Sequence, residues 1–332
     1  MTGRDVTLIQ QASFEDRSVA AAVRGELPLS LRLRHAGPTR FIVGYELTGP
    51  TNAPLIIVAG GISAGRHSIS SKTFSEPGWW ESQSEALSGH RLLSIDWLGA
   101  DGEFDRPIDP ADQAEAIAAL LDALGLGRAA GFVGASYGGM VGMHLAARNP
   151  DSLGSLLAIS APARAHPFAS ACRSIQRRAL DLGEAGGEPD AGVALARAMA
   201  MLTYRTPREF AERFDASPVL DGGRLRVAAD PYLDAQGQRH CRRMSPAAYR
   251  RLSESIDLHR IDAADIRVPV TLAAVDSDAL VPESDVRPLA KAIPGSRLHV
   301  VRSRFGHDAF LKEDAQVAAI LIRFLASLET TR

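Results

Sequence analysis

Ser136 lies in the pattern Gly134-Ala135-Ser136-Tyr137-Gly138, which matches G-x-S-x-G. This motif indicates a nucleophilic serine when a buried strand precedes it and a helix follows it. Both patterns are present, since the apolar run AAGFVGA comes before the serine and an amphipathic segment comes after it. The small residues permit a sharp turn that exposes the hydroxyl. A glycine-rich turn of a nucleotide-binding fold looks similar, so the motif alone leaves both interpretations open.

Two residues with the complementary chemistry follow later strands. Asp278 comes shortly after VPVTLAAV, and His307 comes shortly after LHVVRS. In an α/β-hydrolase fold the chain order is nucleophile, acid and histidine, and each partner lies at the C-terminal end of a strand. We therefore predict that His307 accepts the proton of Ser136 and that Asp278 holds the imidazole in the productive tautomer. Asp276 and Asp285 are alternative acids that we interpret as helix caps.

An acyl-transfer site also requires N–H donors for the oxyanion that forms during the reaction. The predicted donors are the backbone N–H groups of Tyr137 and of Ile62, which lies in the loop after PLIIVAGG. Because backbone donors need no particular side chain, this prediction depends on position in the fold rather than on residue type.

Strands and helices alternate on both sides of a long helical stretch. Strands are predicted at 40–49, 54–61, 90–99, 129–135, 155–162, 268–275 and 296–303, and helices at 109–127, 136–150, 283–293 and 313–328. This alternation, which follows a polar N-terminal arm, predicts an α/β-hydrolase fold with a mostly parallel sheet and helices on both faces. Residues 163–256 show Arg-rich helical patterns and no convincing strand. The predicted core domain is therefore 1–162 with 257–332, and 163–256 is a helical lid insertion.

Composition excludes several other classes of protein. The formal net charge of the chain is -2 and its arginines are scattered, which indicates no nucleic-acid partner. Cys172 and Cys241 are isolated, so neither a zinc site nor a disulfide framework is predicted, and no metal is expected. No apolar leader or stretch of membrane-spanning length is visible, so we expect a cytoplasmic protein without a membrane partner.

Several separated motifs resemble the homoserine O-acyltransferase family of α/β-hydrolase-fold enzymes. They are GASYGGM at 134–140, LARAMAMLTYRTPREFAERF at 195–214, SDALVP at 277–282 and GHDAFLKE at 306–313. The resemblance implies a catalytic triad of Ser136, Asp278 and His307, with Arg197 and Asp308 near the amino-acid substrate and Tyr204 lining the same pocket. It also implies a homodimer formed through the lid helices and no cofactor beyond acyl-CoA as co-substrate.

The predicted substrate residues agree with the chemistry of homoserine. The amino acid is a zwitterion, so its carboxylate needs a cation such as Arg197 and its ammonium group needs an anion such as Asp308. Judged without the resemblance, Arg197 is a solvated lid-helix arginine and Asp308 a helix-capping acid. Within this resemblance, the segments GGISAGRH at 60–67 and DLHRID at 257–262 are closer to a branch that favours succinyl-CoA over acetyl-CoA as donor. Arg66 is then a candidate partner for the succinyl carboxylate, with a surface position or a CoA phosphate contact as alternatives.

The expected reaction is a ping-pong acyl transfer to homoserine, a step of methionine biosynthesis, through an acyl-Ser136 intermediate. L-Serine as acceptor remains an alternative within the same family. An esterase or thioesterase is the rival with the same triad, because the triad alone does not exclude water. A non-catalytic binding protein on this fold would be expected to have lost a triad residue, and all three are present.

Overall fold

The computed structural model describes residues 22–329. The strands in this range are, in chain order, β1 Val23–Leu33, β2 Gly37–Thr48, β3 Leu55–Ala59, β4 Arg91–Ile95, β5 Gly131–Ala135, β6 Leu156–Ile159, β7 Val219–Asp221, β8 Arg224–Arg226, β9 Val270–Val275 and β10 Arg297–Val301. The α-helices are α1 Ser84–Leu87, α2 Pro110–Ala123, α3 Tyr137–Arg148, α4 Pro167–Ala185, α5 Pro189–Tyr204, α6 Pro207–Arg213, α7 Asp230–Cys241, α8 Pro246–Leu258, α9 Glu283–Ala292 and α10 Asp314–Glu329.

Eight strands form one sheet in the order β1-β2-β4-β3-β5-β6-β9-β10. The pairs β1–β2 and β2–β4 are antiparallel, and every neighbouring pair from β4 to β10 is parallel. The predicted mostly parallel sheet of an α/β-hydrolase fold is therefore confirmed. Because β5, β9 and β10 run in the same direction, the residues that follow them meet at one edge of the sheet.

Helices cover both faces of the central strands. Ile57 of β3 packs in one apolar cluster with residues of α2 and α3, whereas its neighbour Ile56 packs in a second cluster with residues of α10. The strands β3, β5, β6 and β9 are consequently buried along their whole length. Burial on both faces explains why their sequences are continuous apolar runs.

The polar N-terminal arm predicted before residue 40 is wrong for residues 23–33, which form β1. Leu29, Leu31 and Leu33 are buried, while Ser30 and Arg32 between them and Pro28 before them are exposed. This strand lies at the edge of the sheet, where one face meets solvent and a proline is tolerated. Only alternate residues of this strand need to be apolar. The charged and polar residues between them therefore made the segment look like a polar arm in the sequence. The first 21 residues of the predicted arm lie outside the described residues.

The chain between β6 and β9 contains the helices α4 to α8 and also the hairpin β7–β8. The prediction that residues 163–256 hold no strand is therefore wrong at this hairpin. Its strands have three residues each and are fully exposed, so they show no buried face in the sequence pattern. Gly222 and Gly223 both have positive φ angles, 56° and 79°, as a tight hairpin turn requires.

Two buried histidines, His144 in α3 and His259 after α8, connect the end of this helical segment to α3 by a hydrogen bond. His259, at the end of α8, donates from Nε2 to the carbonyl of Pro162 at 2.8 Å, so its Nδ1 accepts a hydrogen bond from Nε2 of His144 at 3.2 Å. Pro162 lies where the chain enters the insertion, and Ile261 N–H, where it returns, donates to Ala163 O at 2.9 Å. Burial lowers the pKa of His144 to about 3 and that of His259 to about 4. Both rings are therefore neutral at pH 7.

We expect this histidine pair to make the protein sensitive to acid. Both folded-state pKa values lie below the ordinary imidazole value of about 6.5, so the unfolded chain binds protons first as the pH falls. The stabilisation is complete above about pH 6.5 and decreases towards the folded-state values, by up to about 1.4 kcal/mol per pH unit for each ring. Urea unfolding at pH 7.5 and 5.0 should show a drop in unfolding free energy that is about 2–4 kcal/mol smaller in H144Q/H259Q than in the wild type. An equal drop in both proteins would contradict this account.

Candidate active site

Ser136 occupies the sharp turn between β5 and α3. Its φ and ψ angles are 55° and −119°, an uncommon conformation for a residue with a side chain. The conformation is stabilised on both sides, since Ser136 N–H donates to Ile159 O at 2.8 Å and Ser136 O accepts from Met140 N–H at 3.2 Å. A Cβ atom at Gly134 would lie 2.4 Å from Gly138 O, so the turn closes only because this position is glycine. The predicted strand, serine turn and helix are present.

The structure brings Asp278 and His307 to Ser136. Nε2 of His307 lies 2.8 Å from Ser136 Oγ, and Nδ1 lies 2.7 Å from Asp278 Oδ2. The second oxygen, Asp278 Oδ1, accepts the backbone N–H groups of Leu280 and Val281, each at 2.9 Å. Both oxygens of this buried carboxylate are therefore used, one to orient the carboxylate and one to orient the imidazole.

The electrostatic surroundings favour a protonated His307. Burial on its own would lower the pKa of this imidazole, but the charge of Asp278 and its hydrogen bond outweigh burial and raise the pKa above its ordinary value. The imidazole is thus a stronger base than a free histidine, and its proton-accepting nitrogen faces a serine hydroxyl. This arrangement can generate a serine nucleophile.

Asp276, the alternative acid, is placed differently. It is exposed, and its Oδ1 accepts the backbone N–H of Ser303 at 3.0 Å. The carboxylate therefore connects the loops after β9 and β10 and does not reach the imidazole in this structure.

The two predicted oxyanion donors are Tyr137, directly after Ser136, and Ile62, which lines the same cavity as Ser136. Tyr137 is the first residue of α3, where backbone N–H groups have no acceptor within the helix. Its side chain is buried, and its hydroxyl lies 2.7 Å from Ser255 Oγ. Ile62 lies in a turn in which the Gly61 carbonyl accepts from Trp97 Nε1 at 3.0 Å and from Ala64 N–H at 2.9 Å. Both segments are therefore held by hydrogen bonds to other parts of the protein.

A cavity of about 190 Å³ opens between the sheet edge and the helical insertion. Its lining includes six of the predicted site residues, namely Ile62, Ser136, Arg197, Tyr204, His307 and Asp308. The Tyr204 ring stacks on His307 with centroids 5.9 Å apart, and the Arg197 guanidinium lies 5.1 Å from the centre of the Tyr204 ring. The cavity lining therefore includes a serine hydroxyl, an imidazole, a guanidinium and a carboxylate.

Arg66 does not line this cavity, and its predicted contact with an acyl carboxylate disagrees with its placement. Nε of Arg66 lies 3.0 Å from Asp96 Oδ2, and Nη2 lies 3.2 Å from Glu26 Oε1. Two carboxylates thus already balance this guanidinium. The glycine-rich loop passes the cavity at Gly61 to Ala64 and has left it at Arg66.

Arg173 of α4 lines the cavity, and the sequence interpretation missed it. Its Nε and Nη2 contact Asp257 Oδ1 at 2.9 and 2.6 Å, while Arg177 Nη1 contacts the other oxygen of Asp257 at 2.8 Å. Two guanidinium groups share one carboxylate, so the cluster carries an excess positive charge. The signal in the sequence was the spacing of Arg173 and Arg177, which places them on one helix face. Because Arg178 directly follows Arg177, the spacing of Arg173 and Arg177 was hard to recognise among the arginines of this segment.

The described residues hold no group of three or more His, Cys, Asp or Glu side chains that is arranged to bind a metal ion. Within the same range, no helix has the length and apolar character needed to cross a membrane.

Comparisons with known proteins agree with this geometry. A family model described as alpha/beta hydrolase fold matches residues 54–314. A homoserine O-succinyltransferase of Xanthomonas campestris pv. campestris is 52% identical over 322 residues, which cover 95% of this chain and 87% of that protein. A homoserine O-acetyltransferase of Thermus thermophilus is 37% identical over 232 residues, or 66% of this chain and 58% of that protein.

The fold is also found in a hydrolase. The crystal structure of esterase E22 matches with a TM-score of 0.81 and 15% identity, over 92% of this chain and 100% of that one. Identity this low shows a shared fold and nothing about the reaction. The family assignment therefore depends on the family model and on the relative that is 52% identical over nearly the whole chain. The chain belongs to the homoserine O-acyltransferase family of α/β-hydrolase-fold proteins.

Proposed function

We propose that this protein transfers the succinyl group of succinyl-CoA to the hydroxyl of L-homoserine through a covalent succinyl-Ser136 intermediate. The observation that carries the proposal is the content of one cavity. It contains the Ser136 hydroxyl beside the His307 base together with Arg197 and Asp308, whose opposite charges match an amino-acid zwitterion. The name of the relative that is 52% identical supports the same reaction.

In the first half-reaction, Ser136 Oγ attacks the thioester carbonyl while its proton moves to His307 Nε2. The carbonyl oxygen becomes an oxyanion, which the backbone N–H groups of Tyr137 and Ile62 stabilise. The tetrahedral intermediate collapses as the C–S bond breaks, and the proton on His307 passes to the departing CoA sulfur. The product is an ester of Ser136, and His307 is again neutral.

In the second half-reaction, His307 removes the proton of the homoserine hydroxyl, whose oxygen attacks the Ser136 ester. The new C–O bond forms, the bond to Ser136 Oγ breaks, and the proton returns from His307 to the serine. Arg197 binds the carboxylate of the amino acid and Asp308 binds its ammonium group. Asp278 stabilises the imidazolium in both half-reactions.

Transfer requires that water does not hydrolyse the acyl-enzyme. The helices α4, α5 and α8 contribute part of the cavity lining, and the apolar residues Met140, Leu280 and Val281 contribute more. We infer that residues 163–256 act as a lid that limits water access. An esterase is the alternative function, because a serine, histidine and aspartate triad does not by itself exclude water.

Arg173 is the proposed partner of the succinyl carboxylate, in place of Arg66. Its cluster has one more positive than negative charge and borders the cavity. A succinyl group presents a carboxylate at the end distant from the thioester, whereas an acetyl group does not. A charge-assisted contact at this position would therefore distinguish the two donors.

Replacing Arg173 by glutamine should lower kcat/KM for succinyl-CoA by about 10- to 100-fold and change kcat/KM for acetyl-CoA by less than about threefold. The measurement is steady-state CoA release with saturating L-homoserine. Arg178 on the same helix is exposed, so R178Q is the matched control and should behave like the wild type. An equal loss with both donors would show that Arg173 does not select the acyl group.

We further propose that two copies of the chain associate through α4 and α5. Apolar residues at intervals of seven are exposed on these helices, where they form a stripe on each: Phe168, Ile175 and Leu182 on α4, and Leu195 and Leu202 on α5. Exposed apolar surface of this kind is typical of protein interfaces. A sedimentation mass equal to one chain at micromolar concentration would exclude this homodimer.

The function is tested by measuring CoA release from succinyl-CoA and acetyl-CoA, each with L-homoserine, with L-serine and without an amino acid. Product masses identify the acceptor. We expect release that depends on homoserine and is fastest with succinyl-CoA. Equal release in the absence of an amino acid would favour the hydrolase.

A further inference from the structure

Arg205, a residue outside the cavity lining, lies against Asp308. Its Nε is 2.8 Å from Asp308 Oδ2, and both side chains are mostly buried, with 11% and 16% of their surfaces exposed. No aligned hydrogen bond joins these two atoms, so the contact is an ion pair. The guanidinium contacts Asp308 through Oδ2, so the two residues form a charged pair beside the cavity.

A second carboxylate anchors the guanidinium of Arg205. Nη1 of Arg205 hydrogen-bonds to Glu209 Oε1, and the Glu209 side chain is almost fully buried. Arg205, Asp308 and Glu209 thus form a buried group with one positive and two negative charges. Lys312 and Arg213 approach Glu209 at 3.8 and 3.3 Å from more exposed positions. Of the two carboxylates in this group, Asp308 is the one that lines the cavity, so it is the one that a cationic ligand in the cavity can reach.

The backbone segments that carry Arg205 and Asp308 are held together tightly. Thr206, next to Arg205, donates from Oγ1 to Arg304 O at 2.6 Å. A Cβ atom at Gly306 would lie 2.8 Å from Tyr204 O, so the backbone after β10 rests directly on the end of α5. The distance between Arg205 and Asp308 is therefore set by rigid packing rather than by two freely moving side chains.

We propose that Arg205 is a positioning residue that holds the Asp308 carboxylate charged and directed at the cavity, where it receives the ammonium group of the amino-acid acceptor. This inference rests on the proposed function, because Asp308 has a ligand only if the acceptor is an amino acid. It assigns Arg205 to the second half-reaction. The first half-reaction, in which no amino acid takes part, does not require it.

The surroundings of Asp308 make this support necessary. Burial raises the pKa of Asp308, while the charges of Arg205, His307, Arg197 and Lys312 act in the opposite direction. Loss of Arg205 would therefore favour the neutral carboxyl group, which binds an ammonium ion poorly. Affinity for the amino acid should therefore fall as the pH decreases, and it should begin to fall at a higher pH without Arg205.

The test compares R205Q, R205M and R205K with the wild type between pH 6.5 and 8.5. At pH 7.5 and saturating succinyl-CoA, R205Q and R205M should raise KM for L-homoserine by about tenfold or more, with a larger effect at pH 6.5 than at pH 8.5. R205K retains the charge and should restore most of the affinity. The burst of CoA released from succinyl-CoA without an amino acid should stay within about twofold of wild type in all variants. R208Q is the control, because Arg208 is exposed and pairs with Glu212.

A double substitution separates positioning from general structural support. If Arg205 acts through Asp308, R205Q should have little further effect on KM in a D308N background. The proposal would be overturned by additive effects of the two substitutions or by an unchanged KM in R205Q. It would also be overturned if R205Q reduced the CoA burst as much as it reduced the affinity for L-homoserine. Failure of both neutral variants to fold would assign Arg205 to folding and would also overturn it. A wild-type enzyme without homoserine-dependent CoA release would instead refute the proposed function, whatever Arg205 does.

Discussion

Replacing Ser136 by alanine should lower kcat for acyl transfer by about four to six orders of magnitude, the range observed when other serine enzymes lose their nucleophile. The reason is that Ser136 Oγ is the atom within 2.8 Å of His307 Nε2, and no other hydroxyl is placed in that position among the described residues. Mass spectrometry should detect a succinyl group on the peptide that contains Ser136 in the wild type and none in S136A.

The fold of S136A should be unaffected, because alanine retains the Cβ atom at the turn and both backbone hydrogen bonds of residue 136. The exposed Ser217 provides a matched control, and S217A should be fully active. Activity of S136A within 100-fold of the wild type would show that the transfer is not covalent at this residue.

Replacing Asp278 by asparagine should lower kcat by about 10⁴-fold while the protein remains folded. The loss follows from the two hydrogen bonds that Oδ1 accepts from Leu280 and Val281. They orient the asparagine so that its oxygen replaces Oδ1 and its NH₂ group faces His307 Nδ1. Nδ1 must then accept a hydrogen bond, so the imidazole proton moves to Nε2 and points at Ser136. A base protonated on that nitrogen cannot accept the serine proton.

The pH profile provides a second readout for D278N. Asp278 raises the pKa of His307, so the acidic limb of the wild-type kcat/KM profile should lie above about pH 6.5, the ordinary imidazole value. In D278N that limb should move to lower pH because the carboxylate charge is gone. D276N is the matched control, since Asp276 is exposed and accepts from Ser303 N–H. A D278N enzyme within tenfold of wild type would contradict the role assigned to Asp278.

The proximity of the three proposed triad residues was predictable, because each follows a strand whose apolar run is visible in the sequence. A parallel sheet brings the carboxyl ends of its strands to one edge, so knowing the strands was enough to place Ser136, Asp278 and His307 near one another. The edge strand β1 and the hairpin β7–β8 were not predicted, because an exposed strand does not need a continuous apolar run.

The sequence by itself determined the buried strands that precede Ser136, Asp278 and His307, and it determined the family, since these follow from local apolar patterns and from motifs contiguous in the chain. Only the tertiary structure showed which arginines lie at the cavity. Arg66 was expected there but pairs with Asp96 and Glu26, while Arg173 lines the cavity and Arg205 pairs with Asp308. The direction of a long charged side chain depends on carboxylates that are distant in sequence, such as Asp257 for Arg173, and local patterns do not encode those contacts.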